Sequence, residues 1–257
     1  MTALAAWYRA HGRHALPWRA TRDRWTILVS EVMLHQTQVP RVAAAWDTFI
    51  ARFPSAGVTA DAGPGAVIDV WGRLGYPRRA RRLWEAAVAI DAHGWPDDLA
   101  SLPGVGRYTA NAVLAQADDA DVPAVEVNVR RVVERVRGTR LTPREAERAV
   151  VEVGAPLRGR DRLLALMDVG ALLCRAREPR CDECPLFGRC ASRGPVEGET
   201  RAARQPRFAG SFRQRRGAVL DALRCAPVAL DAVDAHALAS LVDDGLAVVD
   251  GELARLP

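Results

Sequence analysis

Residues 101–110 read SLPGVGRYTA, and the fold is legible outward from them. Leu102 and Pro103 close one helical segment. Gly104 and Gly106 allow a tight turn with positive φ and leave the backbone uncovered. A second helix is predicted from Arg107 to Ala117. The N–H groups of such a turn and of the helix start form a place for an anion such as a DNA phosphate. Leu102, Gly104, Val105, Gly106, Arg107 and Thr109 are the candidate contacts. A site of this kind grips the phosphate backbone and reads no sequence. A Gly-x-Gly turn also occurs at ordinary helix–turn–helix corners; the flanking Leu-Pro and Arg favour the anion.

On both sides of the turn the apolar spacing is helical. It predicts helices over Arg24–Val39, Arg41–Phe53, Gly65–Leu74 and Arg78–His93 before it, the last ended by Gly94 and Pro96. After it come Asn128–Val136, Pro143–Val153 and Asp161–Leu173. Little alternates with a period of two, so the class is mainly α. Residues 191–213 are polar and aperiodic and read as a linker. Gln214–Arg224 and Asp234–Asp243 are then helical, and Asp250-Gly251 marks a hairpin between apolar stretches. Helix, helix, hairpin over 214–257 outlines a small winged-helix-like domain or, equally, a docking subdomain.

Within 257 residues and a net charge of +5, all 36 basic residues are Arg. A basic balance hints at a polyanionic partner. The lack of Lys has a chemical consequence: no side-chain amine can form a Schiff base with a sugar aldehyde. No apolar run is long enough to span a bilayer. The N-terminus MTALAAWYRAHGRHALPWR places aromatic and charged residues where a secretory core would lie. A soluble, cytoplasmic, nucleoid-associated protein is therefore expected.

Cys174, Cys181, Cys184 and Cys190 form a C-x6-C-x2-C-x5-C group. Four thiolates in one short segment suit an iron–sulfur cluster or zinc. Structural zinc sites more often pair two C-x2-C knuckles. The single knuckle and wider outer loops here favour a 4Fe–4S cluster. Arg175, Arg177 and Arg180 lie in the first loop and could contact phosphates. Cys225 stands apart and is expected to be a small buried apolar residue.

The cysteine group following LPGVGRYTA resembles the endonuclease III and MutY branch of the helix-hairpin-helix DNA glycosylases. LPWR at 16–19, SEVMLHQTQV at 30–39, WGRLGYPRRARRL at 71–83, NVRRV at 128–132 and MDVGALLC at 167–174 resemble MutY segments in matching order. The resemblance covers roughly residues 4–190. The short C-terminal region is similar to that of compact actinobacterial MutY proteins. It implies a two-lobed glycosylase domain over 1–190, with a six-helix lobe at about 24–130 and a cluster lobe from 1–23 with 131–190. It also implies a monomer acting on duplex DNA that holds a mispaired or damaged base.

The implied reaction flips out adenine mispaired with 8-oxoguanine and hydrolyses its N-glycosidic bond. Two carboxylates suit that chemistry, one to protonate the base and one to stabilise a cationic sugar. By resemblance the acid is Glu31, which follows the apolar WTILVS on a helix that a core would bury, raising its pKa. The second carboxylate aligns with Glu126, where the family has Asp; capping the next helix is its other reading. Tyr108 takes the position of the Schiff-base Lys in the strand-cleaving branch, so water is expected to attack. Trp18, Arg19 and Leu34 match residues lining the adenine pocket, and Gln36 matches the Gln that fills the gap left by the flipped base. His35 stands for a family Gln, and Asp168 for a Glu that contacts adenine.

Glu126, Asp168 and His35 thus mark three departures near one site. They fit compensating drift, or a paralogue that takes another purine, uracil or thymine. A lesion-binding protein without catalysis is the third possibility; Glu31 argues against it. Arg78, Arg79, Arg81, Arg82, Arg130 and Arg131 are candidate phosphate contacts, whose binding would weaken with salt.

Overall fold

The computed structural model describes residues 2–199 and 206–257. Its helices in chain order are α1 (Ala3–His11), α2 (Arg24–Leu34), α3 (Val39–Arg52), α4 (Ala56–Trp71), α5 (Arg78–His93), α6 (Arg107–Asp118), α7 (Val127–Arg137), α8 (Pro143–Gly154), α9 (Gly159–Asp168), α10 (Phe212–Cys225) and α11 (Ala235–Asp243). Three short strands are β1 (Val228–Ala229), β2 (Val248–Asp250) and β3 (Leu253–Arg255). The chain divides into two compact units: residues up to 31 with those from 105 to the end of the first described stretch, and residues 32–104 with those from 206 onward. No described helix is long and apolar enough to cross a membrane.

In the first unit α1, α6, α7, α8 and α9 share one core, built from Leu4 and Tyr8, Ala112 and Ala115, Val129 and Val133, Val150 and Leu163–Leu166. Local chemistry sets the helix ends. Thr142 and Glu145 form a reciprocal capping box on α8, with Pro143 in its first turn. Gly138, at φ 76°, ends α7. After Asp168 the helix widens into a π turn over Val169–Leu173, which delivers Cys174. The small residues of α6 lie against α9, so residues 105–130 share the core of the cysteine segment. The resemblance implies lobes that meet near residues 23 and 130; the packing divides the chain at 31 and 104. The polar stretch after Cys190 is also partly anchored. Val196 is buried, and Glu199 pairs with buried Arg135 at 2.6 Å.

In the second unit α4 packs along α5. Only the second half of α4 is legible as helix in sequence. Ser55 caps an earlier start by accepting from Val58 N–H, and Gly63 (φ 78°) before Pro64 breaks the run. Helix α2 ends at Leu34, five residues before the Val39 predicted, because Gln36 takes a left-handed φ of 55°. The C-terminal part runs helix, strand, helix, hairpin, in the sheet order β1-β3-β2. Strand β1 carries no signal in the sequence. The hairpin turns at Gly251, φ 59°, with Asp250 opposite Leu253. Helix α11 carries no Arg, and His236 in its first turn is its one basic side chain. Cys225 is exposed at the end of α10, not buried as expected.

Candidate active site and cysteine loop

Helix α2 is buried through its middle: Ile27, Leu28, Val29 and Ser30 are all 1% exposed or less. Glu31 sits at the end of this run, 2% exposed. Its two oxygens have separate donors from α6. Tyr108 O–H donates to Oε2 at 2.9 Å, and Gln116 Nε2 donates to Oε1 at 2.7 Å. Tyr108 and Gln116 are eight positions apart, about two helical turns, so one face of α6 holds both oxygens. Burial pushes the Glu31 carboxyl above its ordinary range, and the nearby charge of Glu126 adds to this. The bonds from Gln116 and Tyr108 and the charge of Arg19 act the other way and are outweighed. Burial and the two carboxylates hold the Tyr108 hydroxyl well above its usual pKa, so it stays a donor.

Glu126 is the N-cap of α7. Its Oε1 accepts from Val129 N–H at 2.8 Å, and its Oε2 from Asn128 N–H at 2.8 Å and Asn128 Nδ2 at 2.9 Å. Capping is therefore one of its roles. Burial raises its carboxyl, opposed by these backbone N–H groups and by Arg131. The carboxylate is close enough to Glu31 to raise it.

Asp168 is not free to contact a base. It is fully buried, and Arg13 and Arg19 take both of its oxygens. Arg13 Nε donates to Oδ1 at 2.5 Å and Arg13 N–H to Oδ2 at 2.9 Å. Arg19 adds bonds of 2.6 and 2.8 Å. Burial would raise this carboxyl, but Arg19 and Arg13 outweigh it and hold it below its usual range. With one methylene fewer than the Glu expected there, the side chain ends inside this triad. Arg13 and Gln116 carry no motif in the sequence, since their partners lie 155 and 85 residues away. Trp18 is buried at 3% exposure.

Leu34 and His35 are half-buried and Gln36 is exposed. Burial, with the charge of Arg79, lowers His35 and keeps it neutral at pH 7. Arg79 is not a phosphate contact: its guanidinium binds Val32 O at 2.8 Å, Met33 O at 3.0 Å, His35 O at 2.5 Å and Thr37 Oγ1 at 2.9 Å. It thereby caps the carbonyl end of α2. Arg79→Ala is expected to cost about 3 kcal/mol by leaving these acceptors without their charged donor, read as a lower urea midpoint with the slope unchanged. Arg130 and Arg131 are also internal. Arg130 holds Glu134 and Leu141 O, while Arg131 binds Asn128 Oδ1, Gly170 O and Cys174 O. Arg78 pairs with Asp244, and Arg81 binds Glu85 and Gly245 O. Arg82 remains 63% exposed beside Glu85.

At the turn, Gly104 has φ 75°, and a Cβ there would lie 2.7 Å from Arg82 Cβ, so glycine is needed twice over. Gly106 caps α6 without a side-chain bond. Leu102, Val105 and Thr109 are buried, which leaves their backbone and not their side chains for an anion. Arg107 is 73% exposed and reaches Glu147 at 3.0 Å.

Cys174, Cys181, Cys184 and Cys190 all line one small cavity, with Arg135, Leu173 and Phe187. Burial raises the Cys184 thiol to about 11, and Cys174, Cys190 and Cys181 each add to the rise, which places four thiols within electrostatic reach of one another. Arg135 points Nη1 at Cys174 Sγ, 3.6 Å away. Four soft donors around one small cavity with a cation beside them fit a thiolate-bound cluster. Among the described residues no three His, Cys, Asp or Glu groups converge tightly enough to hold a single metal ion.

A model of the HhH-GPD superfamily of base excision DNA repair proteins matches residues 29–156. The chain is 44% identical to the adenine DNA glycosylase of Mycolicibacterium smegmatis, over 98% of this chain and 94% of that one. It is 41% identical to the adenine DNA glycosylase of Mycobacterium tuberculosis, over 98% and 92%. A solved thermostable thymine-DNA glycosylase superposes with a TM-score of 0.65 at 27% identity, covering 74% of this chain and 93% of that one. The chain belongs to the MutY-like branch of the helix-hairpin-helix superfamily and is a DNA glycosylase of base excision repair.

Proposed function

We propose that the enzyme removes adenine mispaired with 8-oxoguanine or guanine by hydrolysis and leaves an abasic site. One observation carries this reading: Glu31 is buried, held by Tyr108 and Gln116, and raised in pKa, the state in which a carboxyl can keep a proton at neutral pH. A base inside a stacked duplex is out of reach of such a group and has to be extruded first. Glu31 then protonates the base, and its departure leaves a cationic sugar. Glu126, half-buried, supplies the facing negative charge. With no Lys in the chain and a neutral Tyr108 beside the acid, water is the nucleophile and the strand stays intact. The turn at Gly104–Gly106 takes a backbone phosphate. Cys174, Cys181, Cys184 and Cys190 would hold a 4Fe–4S cluster, which ties the loop together and can exchange single electrons. One copy of the chain carries acid, turn and thiols, so a monomer suffices, working at the chromosome in the cytoplasm.

The enclosed Asp168 favours a second reading. The contact expected to tell adenine apart is spent on Arg13 and Arg19, so the base could be another purine, uracil or thymine. Single-turnover release from a panel of defined mispairs decides. Adenine released opposite 8-oxoguanine supports the first reading, and another base the second. Tight binding without release would leave only a lesion-binding protein.

A further inference from the structure

A cavity in the first unit, whose lining includes neither Glu31 nor any cysteine, is walled by arginine. Helix α1 contributes Tyr8 and Arg9, the segment before α2 contributes Arg19 and Arg22, and α9 contributes Arg160 and Asp161. Four guanidinium groups thus face a space of about 320 Å³ with one carboxylate among them. The charges do not neutralise one another. Arg9 and Arg22 are exposed and make no hydrogen bond or ion pair among the described residues. Arg160 is buried and spends its N–H groups on the carbonyls of Thr21, Gln116 and Arg19. Burial lowers its pKa, and the charges of Arg22 and Arg19 lower it further.

Arg19 supplies the second observation. Its side chain is only 4% exposed, and Nη1 and Nη2 are taken by Asp168. Its Nε is buried without any partner, on a residue that lines the cavity. A buried guanidinium N–H left unmet is costly, because the charge has lost its water. Like charges crowded at a cavity and a buried donor with nothing to receive it are relieved by the same thing, an oxyanion with several acceptor oxygens.

We propose that this cavity binds a phosphate group, held by Arg9, Arg22 and the unmet Nε of Arg19, with the positive charge of Arg160 beside them, and separate from the glycine turn. The group could be a backbone phosphate of DNA or a free phosphate or nucleotide, and the chemistry of capture is shared.

The probe is inorganic phosphate added to the intact protein, against chloride at matched ionic strength. At tenfold excess over its Kd, phosphate is expected to raise the unfolding midpoint by about 2–4 °C, where chloride does not. Arg9→Gln and Arg22→Gln should each weaken phosphate about tenfold while circular dichroism is unchanged. Arg144→Gln, an exposed residue on α8 with the same charge change, should leave it alone. Duplex DNA separates the sources. A backbone phosphate predicts that duplex and phosphate compete and that each variant shallows the salt dependence of duplex affinity by about one charge. A free anion predicts independent binding. Phosphate no better than chloride, or an equal loss with Arg144→Gln, would overturn the site.

Discussion

Glu31→Gln keeps duplex affinity within about twofold and loses base release by about a thousandfold, the range expected when a positioned general acid is removed. The substitution is nearly isosteric and leaves the pocket satisfied. A Gln carbonyl accepts from Gln116 Nε2, and its amide donates to the Tyr108 oxygen once that hydroxyl rotates. Folding is thus preserved while the proton is lost. The pH profile carries the same signature. Burial raises the Glu31 carboxyl, so the protonated, active form persists above the ordinary carboxyl range and release falls as pH climbs through the raised value. For stability the sign is the same. A folded-state pKa above the unfolded one gives a contribution that is full below the unfolded pKa and fades as pH rises through the folded one. The Gln variant should lack both limbs. Retained release, or a loss of binding as large as the loss of release, would show that Glu31 is a packing residue.

Glu126→Gln is the second large effect, about a hundredfold in release, as for the loss of one fixed charge facing a developing cation. It also weakens the α7 cap by about 1 kcal/mol, because one carboxylate oxygen becomes an amide that cannot accept. The two consequences separate by measurement. Calorimetry reads the cap, and single-turnover release on bound duplex reads the charge. Glu126→Asp keeps both charge and cap and shifts the carboxylate by about a bond length. A fall in stability with release untouched would reduce Glu126 to its capping role.

What the sequence shows and hides follows from the reach of each interaction. Helix α5 runs from Arg78 to His93 as the periodicity predicts, because Gly94 ends it and its apolar face repeats locally. The raised pKa of Glu31 is likewise readable, since the apolar run before it promises burial. Tyr108 came from a motif. Gln116 did not, because nothing near it marks a residue whose partner lies two turns of helix and a whole segment away. Asp168 and Arg79 mislead for a related reason. A charged residue in an aligned position looks available until the structure shows its oxygens or N–H groups already bound. The early half of α4 was lost to Gly63-Pro64, which breaks the pattern that length would have supplied. The four cysteines were unmistakable, yet Arg135 and Glu199 beside them were not, lying in a helix and in a stretch that composition reads as linker.

The unit that holds Glu31 is discontinuous, and that has a consequence for the nascent chain. Glu31 finds Tyr108 and Gln116 across 77 and 85 residues, and Arg13 finds Asp168 across 155. A ribosome therefore releases the carboxylate long before anything can shelter it. Until the later helices emerge it stays hydrated, with the acidity of any exposed glutamate, and so without a proton to give. Contacts this distant make folding slower, since each long loop must close before its reward arrives. Truncated products that stop short of residue 116 would carry the acid in sequence but not in chemistry.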